Sequence, residues 1–138
     1  MDKVLNYLSL ARKAGLAELG EEPVGAATRA GKARLVVVAS DAGDHTWRRA
    51  KSFVSGTNQQ LVRLPYTKDE LGFAIGRTSL AIVAVTDVGI ARSLVEALGQ
   101  PENTSVLEEL SRQAEKAKQR QKEARIHAKN KGKTPKKK

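Results

Sequence analysis

The hydrophobic positions of this chain follow two alternating periods, which predicts alternating helices and strands. Apolar residues spaced three and four apart over residues 4–14 predict a first helix. Continuous apolar runs at 35–39 and 80–85 are typical of strands that are buried on both faces. Shorter apolar segments at 16–19 and 61–64 predict two further strands.

Polar residues and glycines mark the ends of the predicted helices. Pro23 suits the first turn of a second helix, and Asp44 and Asp87 stand where side-chain caps are expected. Thr67 and Glu70 form a capping box that opens another helix. Five helical segments are each followed by a glycine: Gly15, Gly31, Gly56, Gly76 and Gly99. Together these signals predict the α/β class, as a three-layer α/β/α sandwich with a four-stranded mixed sheet.

The sequence beyond the predicted sandwich has a different character. We expect an α/β/α sandwich domain over 1–99, a linker over 100–104, a basic helix over 105–129 and a disordered Lys-rich tail over 130–138. Small and apolar residues follow a 3-4 spacing along the basic helix, as in a coiled coil. Most of them are Ala or Gln, which bury little apolar area. We therefore expect a long exposed helix, ordered in part only on a partner, rather than a coiled-coil dimer.

The charge of the chain is concentrated in the same C-terminal region. The net charge is +10, residues 1–111 are neutral in sum, and residues 112–138 carry all of the excess. A neutral body followed by a cationic segment is the pattern expected of a polyanion binder, and nucleic acid is the commonest polyanion. The alternative is a solvated tail that only aids solubility.

Composition excludes several classes of site. The chain has no cysteine, which rules out disulfides and thiolate metal sites. The longest apolar run is far too short to cross a bilayer, and no secretory signal is recognisable. We therefore expect a soluble, cytoplasmic protein without a membrane partner.

The sequence offers little for catalysis. His45 lies beside a predicted helix cap and is explained as a surface residue. Gly31 and Lys32 lack the surrounding pattern of a phosphate-binding loop. We expect no catalytic residue, no metal site and no cofactor.

Two glycine-containing loops are better candidates for a binding site. They cover residues 19–24 and 75–79, and both combine a glycine with polar groups. The basic residues Lys32 and Arg34 are near the first loop in sequence and suit phosphate contacts. The acidic residues of the first loop are explained equally by a helix dipole and by hydrogen bonding to base amino groups.

Five sequence blocks, in this order and spacing, resemble the kink-turn-binding ribosomal protein superfamily, especially its small bacterial members. The similarity extends over residues 8–98. The blocks are Leu-Ala-Arg-Lys-Ala-Gly at 10–15, Leu-Gly-Glu-Glu at 19–22, the segment 30–42, the segment 69–76, and Val-Ala-Val-Thr-Asp at 83–87.

The resemblance implies an α/β/α sandwich that binds structured RNA, with ribosomal RNA as the expected partner. Members of the superfamily hold a sharply bent RNA with the loop before the second helix and the loop before the last strand. An apolar residue of the second loop, here Ile75, is expected to pack against an unstacked base. With phosphate partners and basic-helix residues included, the predicted RNA-binding set is Gly20, Glu21, Glu22, Lys32, Arg34, Ile75, Gly76, Arg77, Thr78, Arg112, Lys116 and Arg120.

The first loop departs from the pattern of the superfamily. Kink-turn readers typically carry Gly-x-Asn-Glu-x-x-Lys, whereas Glu22, Pro23 and Ala26 stand at the Asn, Glu and Lys positions here. The leading expectation is a non-enzymatic RNA-binding protein whose basic tail adds affinity. The alternative is a protein-interaction module for ribosome assembly or transcription that has lost kink-turn specificity. A third hypothesis is that the chain is a subunit of an enzyme such as an RNA methyltransferase, but no catalytic domain is recognisable in this sequence.

Overall fold

A computed structural model describes residues 2–133, with side chains through residue 126. Helices and strands alternate along it, followed by a short 3-10 turn and a long helix. They are α1 (Lys3–Lys13), β1 (Ala17–Leu19), α2 (Glu21–Arg29), β2 (Leu35–Val38), α3 (Asp44–Val54), β3 (Gln60–Arg63), α4 (Lys68–Ile75), β4 (Ile82–Val85), α5 (Val88–Leu98), the 3-10 turn Pro101–Asn103 and α6 (Thr104–Lys133). The predicted α/β class is confirmed.

The four strands form one mixed sheet in the order β1-β4-β2-β3. Strand β4 is antiparallel to both of its neighbours, and β2 is parallel to β3. Strands β1, β2 and β3 therefore point the same way. We call the end where they finish the loop end (Gly20 with residues 39–43 and 76–81). We call the end where β2 and β3 begin the basic end (residues 30–34 and 57–59).

Helices cover both faces of the sheet because both faces are apolar. Leu35 and Val37 point into the larger core, with α1, α4, α5 and part of α6. Val36 and Val38 point into the smaller core, with α2 and α3. This alternation within continuous apolar runs confirms the predicted three-layer sandwich, since a strand buried on both faces needs no polar side.

Two helices begin at side-chain caps that the sequence predicts, the Thr67–Glu70 capping box and Asp87. The Thr67 hydroxyl accepts from the Glu70 amide, and the Glu70 carboxylate accepts from the Thr67 amide at 2.8 Å. The Asp87 carboxylate accepts from the Ile90 amide at 2.8 Å. Both caps satisfy amide groups that have no partner inside their helix.

The start of α3 differs from the prediction. The prediction that Asp44 caps this helix is wrong, because Gly43, which has no side chain, holds the cap position and Asp44 is the first helical residue. Helix α2 begins at Glu21, and Pro23 lies in its first turn as the sequence predicts.

The first half of α6 is packed against the body, contrary to the expectation of an exposed helix. Leu110 is 0 % exposed and Gln113 is 5 % exposed, and Ala114 and Ala117 pack against the larger core beside α5. Small side chains allow this close approach even though each buries little area. Side chains are exposed over 118–126, so the expectation holds only for that second half.

The C-terminal boundary also differs from the sequence prediction. The helix predicted over 105–129 runs from Thr104 to Lys133. The first four residues of the predicted disordered tail therefore belong to the helix. Residues 134–138, the rest of that predicted tail, lie outside the described part of the chain.

Candidate functional site

The two loops singled out in the sequence lie at the same end of the sheet, the loop end. Gly20 has φ +95° and its amide donates to the Ile82 carbonyl at 3.0 Å, which attaches the start of α2 to the start of β4. The Leu80 amide donates to the Lys68 carbonyl at 3.0 Å, which holds the second loop against α4. The sheet therefore places Gly20, Glu21 and Glu22 at the same end as the turn over 76–79.

A glycine inside α4 sets the position of the second loop. The Arg77 amide donates to the Gly72 carbonyl at 2.7 Å, after Gly76 ends the helix with φ +88°. A Cβ on Gly72 would lie 2.7 Å from the Ser79 amide nitrogen and 2.8 Å from the Arg77 carbonyl oxygen. The turn rests directly on the helix backbone, and Arg77, Thr78 and Ser79 stay exposed. Gly72 is not among the predicted site residues, although a glycine within an apolar helical segment is a signal of close backbone approach.

Ile75 does not lie on the surface, which corrects the expectation that it packs against an unstacked base. Its side chain is 2 % exposed and packs in the larger core, one helical turn after Leu71. The exposed large apolar side chain of α4 is Phe73, at 80 %, and it lies beside Asp69 and Glu70. Because carboxylates repel phosphates, Phe73 is a poor candidate for stacking on RNA.

Glu21 is engaged inside the protein. Its carboxylate accepts a hydrogen bond from the Thr46 hydroxyl at 3.3 Å and lies 3.6 Å from Arg49 Nε. These contacts connect the first turn of α2 to α3, so Glu21 positions the loop. Glu22, the next residue, is exposed and remains available to a ligand.

The three positions that depart from the kink-turn pattern share one exposed surface of α2. Glu22, Pro23 and Ala26 are all exposed in the first turns of the helix. Pro23 has no N–H group, so the first turn presents the amides of Glu21 and Glu22 at the helix N-terminus. Side chains introduced at these three positions would face a ligand at the loop end.

Lys32 and Arg34 lie at the opposite end of the sheet from the loops. The Arg34 amide donates to the Val85 carbonyl at 2.8 Å, where β2 begins and β4 ends. A four-residue strand separates this point from the loop end by about 13 Å. Lys32 and Arg34 could therefore contact only phosphates that lie about 13 Å or more from those at the loops, and their role as phosphate partners stays a prediction.

Arg34 instead meets the basic residues of α6. Its Nη1 donates to the Gln113 side-chain oxygen at 3.0 Å. Together with Asn58 and Glu109, four cationic side chains line a cleft of about 80 Å³ there: Arg34, Arg112, Lys116 and Arg120. The structure thus divides the predicted set into seven residues at the loop end and four around this cleft, with Lys32 nearby in sequence.

The one carboxylate of this cleft is held in its ionised form. The Gln113 amide donates to Glu109 at 2.8 Å, and Arg112 forms an ion pair with the same carboxylate. These contacts, the Gln113 hydrogen bond first, lower the pKa of Glu109 below its usual value. Glu109 therefore stays charged at neutral pH and offsets part of the positive charge of α6.

A second polar contact ties α1 to the loop end. Burial, followed by a hydrogen bond to Asp2, raises the pKa of the Tyr66 hydroxyl to about 12. The same hydrogen bond is the main cause of the lowered pKa of Asp2, whose carboxylate also accepts from the Val4 amide at 2.8 Å. Tyr66 follows β3, and its carbonyl accepts from the Ser40 amide at 2.8 Å. Tyr66 therefore connects α1 to the segment that follows β2 at the loop end.

Two other classes of site are absent from the described part of the chain. None of the helices within residues 2–133 combines the length and the apolar character that crossing a membrane requires. Among the side chains of residues 2–126, no group of three or more His, Cys, Asp and Glu is arranged to hold a metal ion. His45 is exposed on the first turn of α3.

The sequence of the sandwich has a recognisable relative. The chain is 36 % identical to the RNA-binding protein YlxQ of Bacillus subtilis (strain 168) over 95 residues, which cover 66 % of this chain and 90 % of YlxQ. The chain belongs to the YlxQ family. No family model matches the chain.

Solved structures extend the comparison to the fold of this chain. A Bacillus halodurans C protein of unknown function has a TM-score of 0.67 at 30 % identity, covering 72 % of this chain and all of that protein. The Giardia lamblia 15.5kD RNA binding protein has a TM-score of 0.58 at 19 % identity, covering 71 % of this chain and 83 % of that protein. The second similarity concerns the fold alone. Because the YlxQ match covers most of YlxQ and less of this chain, this member of the family is the longer of the two.

Proposed function

We propose that this chain is a non-enzymatic protein of the cytoplasm that binds structured RNA, with ribosomal RNA as the partner class. The observation that carries the proposal is that the Gly20 turn and the 76–79 turn lie at the same end of the sheet. These are the two loops that hold a bent RNA in the kink-turn superfamily, which the sequence resembles. The name of the B. subtilis relative as an RNA-binding protein supports the same conclusion.

The loop end offers groups suited to a folded RNA. Gly20 has no side chain to obstruct a close approach, and the exposed Arg77 guanidinium can donate two hydrogen bonds to a phosphate. The Thr78 hydroxyl adds a donor of the kind that contacts backbone phosphates. The exposed Glu22 carboxylate can accept from base amino groups. The loop end would therefore recognise the shape of the RNA backbone and a small number of base edges.

The basic C-terminal region adds affinity that is independent of sequence. Its net charge of +10 favours the release of counterions from the phosphate backbone. Each phosphate contact adds about 0.7–0.9 to the slope of log affinity against log salt concentration. Arg112, Lys116 and Arg120 contribute to this part of the binding.

Fluorescence anisotropy with two RNA hairpins tests the role of the loop end. One hairpin contains a kink-turn, and in the other the kink-turn is replaced by continuous base pairs. We expect the wild-type chain to prefer the kink-turn hairpin, and Arg77→Ala to reduce that preference about tenfold, because charge-assisted hydrogen bonds are lost. Lys51→Ala removes the same charge from α3 and serves as the matched control.

A gain-of-function variant sharpens the same test. Glu22→Asn, Pro23→Glu and Ala26→Lys together restore the pattern of the superfamily at three exposed positions. We expect this variant to bind the kink-turn hairpin more tightly and the continuous hairpin with unchanged affinity. Equal binding of both hairpins by the wild type and by every variant would contradict the loop-end proposal.

A protein-interaction module remains the second candidate function, because of the residues at the loop end. Glu22, Pro23 and Ala26 replace the usual base-reading side chains, and Phe73 is exposed beside carboxylates. Protein partners that stay bound to the purified chain after nuclease treatment would favour this function. Loss of all partners on nuclease treatment would favour RNA binding.

A further inference from the structure

A second charged surface lies at the basic end, away from the loops. Arg34 contributes from the start of β2, and Arg112, Lys116 and Arg120 contribute from α6. The three α6 residues are spaced four apart and therefore lie on one face of the helix, about 6 Å from one to the next along its axis. The result is a row of cations beside the sheet.

Partly buried hydrogen bonds attach this row to the sheet. Gln113 accepts from Arg34 Nη1 at 3.0 Å and donates to the Asn58 carbonyl at 3.2 Å. The Gln113 side chain itself is buried, at 5 % exposure. Because the guanidinium carries five N–H donors and one binds Gln113, Arg34 keeps donors for a ligand. Arg34 and Gln113 thus attach the cleft to the packed body.

Three of its cations lack an ion-pair partner in the part of the chain whose side chains are described. Arg112 pairs with Glu109, the only carboxylate that lines the cleft there, whereas Arg34, Lys116 and Arg120 form no ion pair with a described residue. One carboxylate against four cations leaves the cleft with a positive field that attracts anions. The row of cations is therefore a surface suited to an anionic ligand.

The dimensions of the cleft indicate phosphate groups of a chain rather than a small metabolite. Its volume of about 80 Å³ is well below the roughly 300–1,000 Å³ of typical small-molecule sites. It therefore suits phosphate-sized groups better than an enclosed small molecule. A linear row of cations along a helix matches a repeating polyanion better than a single anion.

We propose that this cleft binds the phosphate backbone of a second RNA segment, so that the protein bridges two RNA segments from opposite ends of its sheet. The inference rests on RNA binding at the loop end as the first of the two contacts. Backbone contacts carry no sequence information, so the second segment is recognised as a duplex or strand of any sequence. The arrangement makes the chain a connector between two parts of a folded RNA.

A capture experiment tests the bridge with the full-length chain. A kink-turn hairpin is immobilised and saturated with protein, and a fluorescent RNA duplex without a kink-turn is then titrated. The cleft variant is Lys116→Gln with Arg120→Gln. The matched control is Lys118→Gln with Lys122→Gln, which removes two charges from other exposed positions of α6 that do not line the cleft.

We expect the wild type to capture the duplex and the cleft variant to capture it about tenfold more weakly. The control should lose about twofold, because it removes charge without removing a contact from the cleft. The salt slope should fall by about 1.4–1.8 in the cleft variant, as expected for two lost phosphate contacts. Equal losses in the two variants, or displacement of the duplex by polyglutamate of equal charge, would overturn the proposal.

Anisotropy of the duplex with the protein alone separates the two proposals. If the kink-turn hairpin does not bind the chain, the loop-end proposal fails, and the direct titration still compares the cleft variant with its control. If the hairpin binds and the duplex does not distinguish the two variants, the bridge fails and the loop-end proposal stands. Thermal unfolding of both variants, which change exposed residues only, verifies that each remains folded.

Discussion

The two ends of the sheet are built by different means. The loop end is shaped by backbone turns, in which Gly20 and Gly76 adopt positive φ and Gly72 allows a turn to rest on a helix. The basic end is formed by long side chains that α6 carries to the start of β2. The loop end thus presents a backbone surface of defined shape with few cations. The basic end presents a row of cations along a regular helix.

The contrast teaches that shape recognition and charge can be placed on separate elements of one small domain. The loop end depends on turn geometry and is sensitive to the addition of a single carbon atom. The basic end depends on how firmly α6 is held by Leu110 and Gln113. Variants that affect one end and not the other can therefore test the comparison directly.

The largest expected effect comes from the side chain that anchors α6. Leu110→Ala should lower the free energy of unfolding by about 2–5 kcal/mol, because Leu110 is fully buried. Ile126→Ala, on the same helix but 54 % exposed, should change it by less than about 0.5 kcal/mol. Urea unfolding measures both. If Leu110→Ala changed the free energy of unfolding as little as Ile126→Ala does, the first half of α6 would not be part of the packed body.

A smaller effect is expected from one added methyl group at the loop end. Gly72→Ala should destabilise the protein by about 1–3 kcal/mol, because the new Cβ would meet backbone atoms that cannot move aside easily. It should also weaken binding of the kink-turn hairpin and leave binding of the plain duplex unchanged. Gly43→Ala is the control, since its Cβ meets open space and its φ is −70°. A Gly72→Ala variant with wild-type stability and affinity would contradict the described loop packing.

Low pH should remove the stabilisation that the ionised Glu109 carboxylate provides at the basic end. The pKa of Glu109 is lower in the folded chain because of Gln113 and Arg112, so the ionised form stabilises the fold. This stabilisation is present above the unfolded pKa of about 4.3 and is lost as the pH falls through the lower folded value. Wild-type stability should therefore decline more steeply than that of Glu109→Gln below about pH 4. Parallel declines in urea unfolding across that range would exclude the contribution of Glu109.

High pH should remove the stabilisation that the neutral Tyr66 hydroxyl provides at the loop end, and this is the smallest of the expected effects. The pKa of Tyr66 is raised to about 12, so the neutral hydroxyl stabilises the fold. This stabilisation is present below the unfolded pKa of about 10 and is lost as the pH rises toward the folded value. An ultraviolet difference titration should show a tyrosinate transition near the folded value, which Tyr66→Phe removes and Tyr7→Phe retains. A wild-type titration without that transition would contradict the contact with Asp2.

Much of the fold could be predicted because its signals are local. The apolar runs at 35–39 and 80–85 contain β2 and β4, and the caps at Thr67 and Asp87 are formed by side chains within three residues of their partners. At α3 the cap position falls on Gly43, which has no side chain to mark it, and the neighbouring Asp44 misled the prediction.

The parts that could not be predicted depend on contacts between elements distant in sequence. Docking of α6 requires the surface of α5, which its own Ala-rich spacing does not reveal. The separation of Arg34 from Gly20 follows only from the parallel direction of β1 and β2, which the β4 pairing sets. Burial of Ile75 and the engagement of Glu21 by α3 likewise become visible only in the assembled layers.

The continuity of α6 has a consequence for how its charges are oriented. The docked half and the exposed half form one helix, so the orientation of every exposed cation about the axis is set by the buried Leu110 and Gln113. Each residue turns the helix by about 100°. Inserting a single alanine after Lys118 would therefore rotate all later side chains by that angle while changing neither their number nor their order. Selection can therefore act on the direction in which these cations point about the helix axis, and not only on their number.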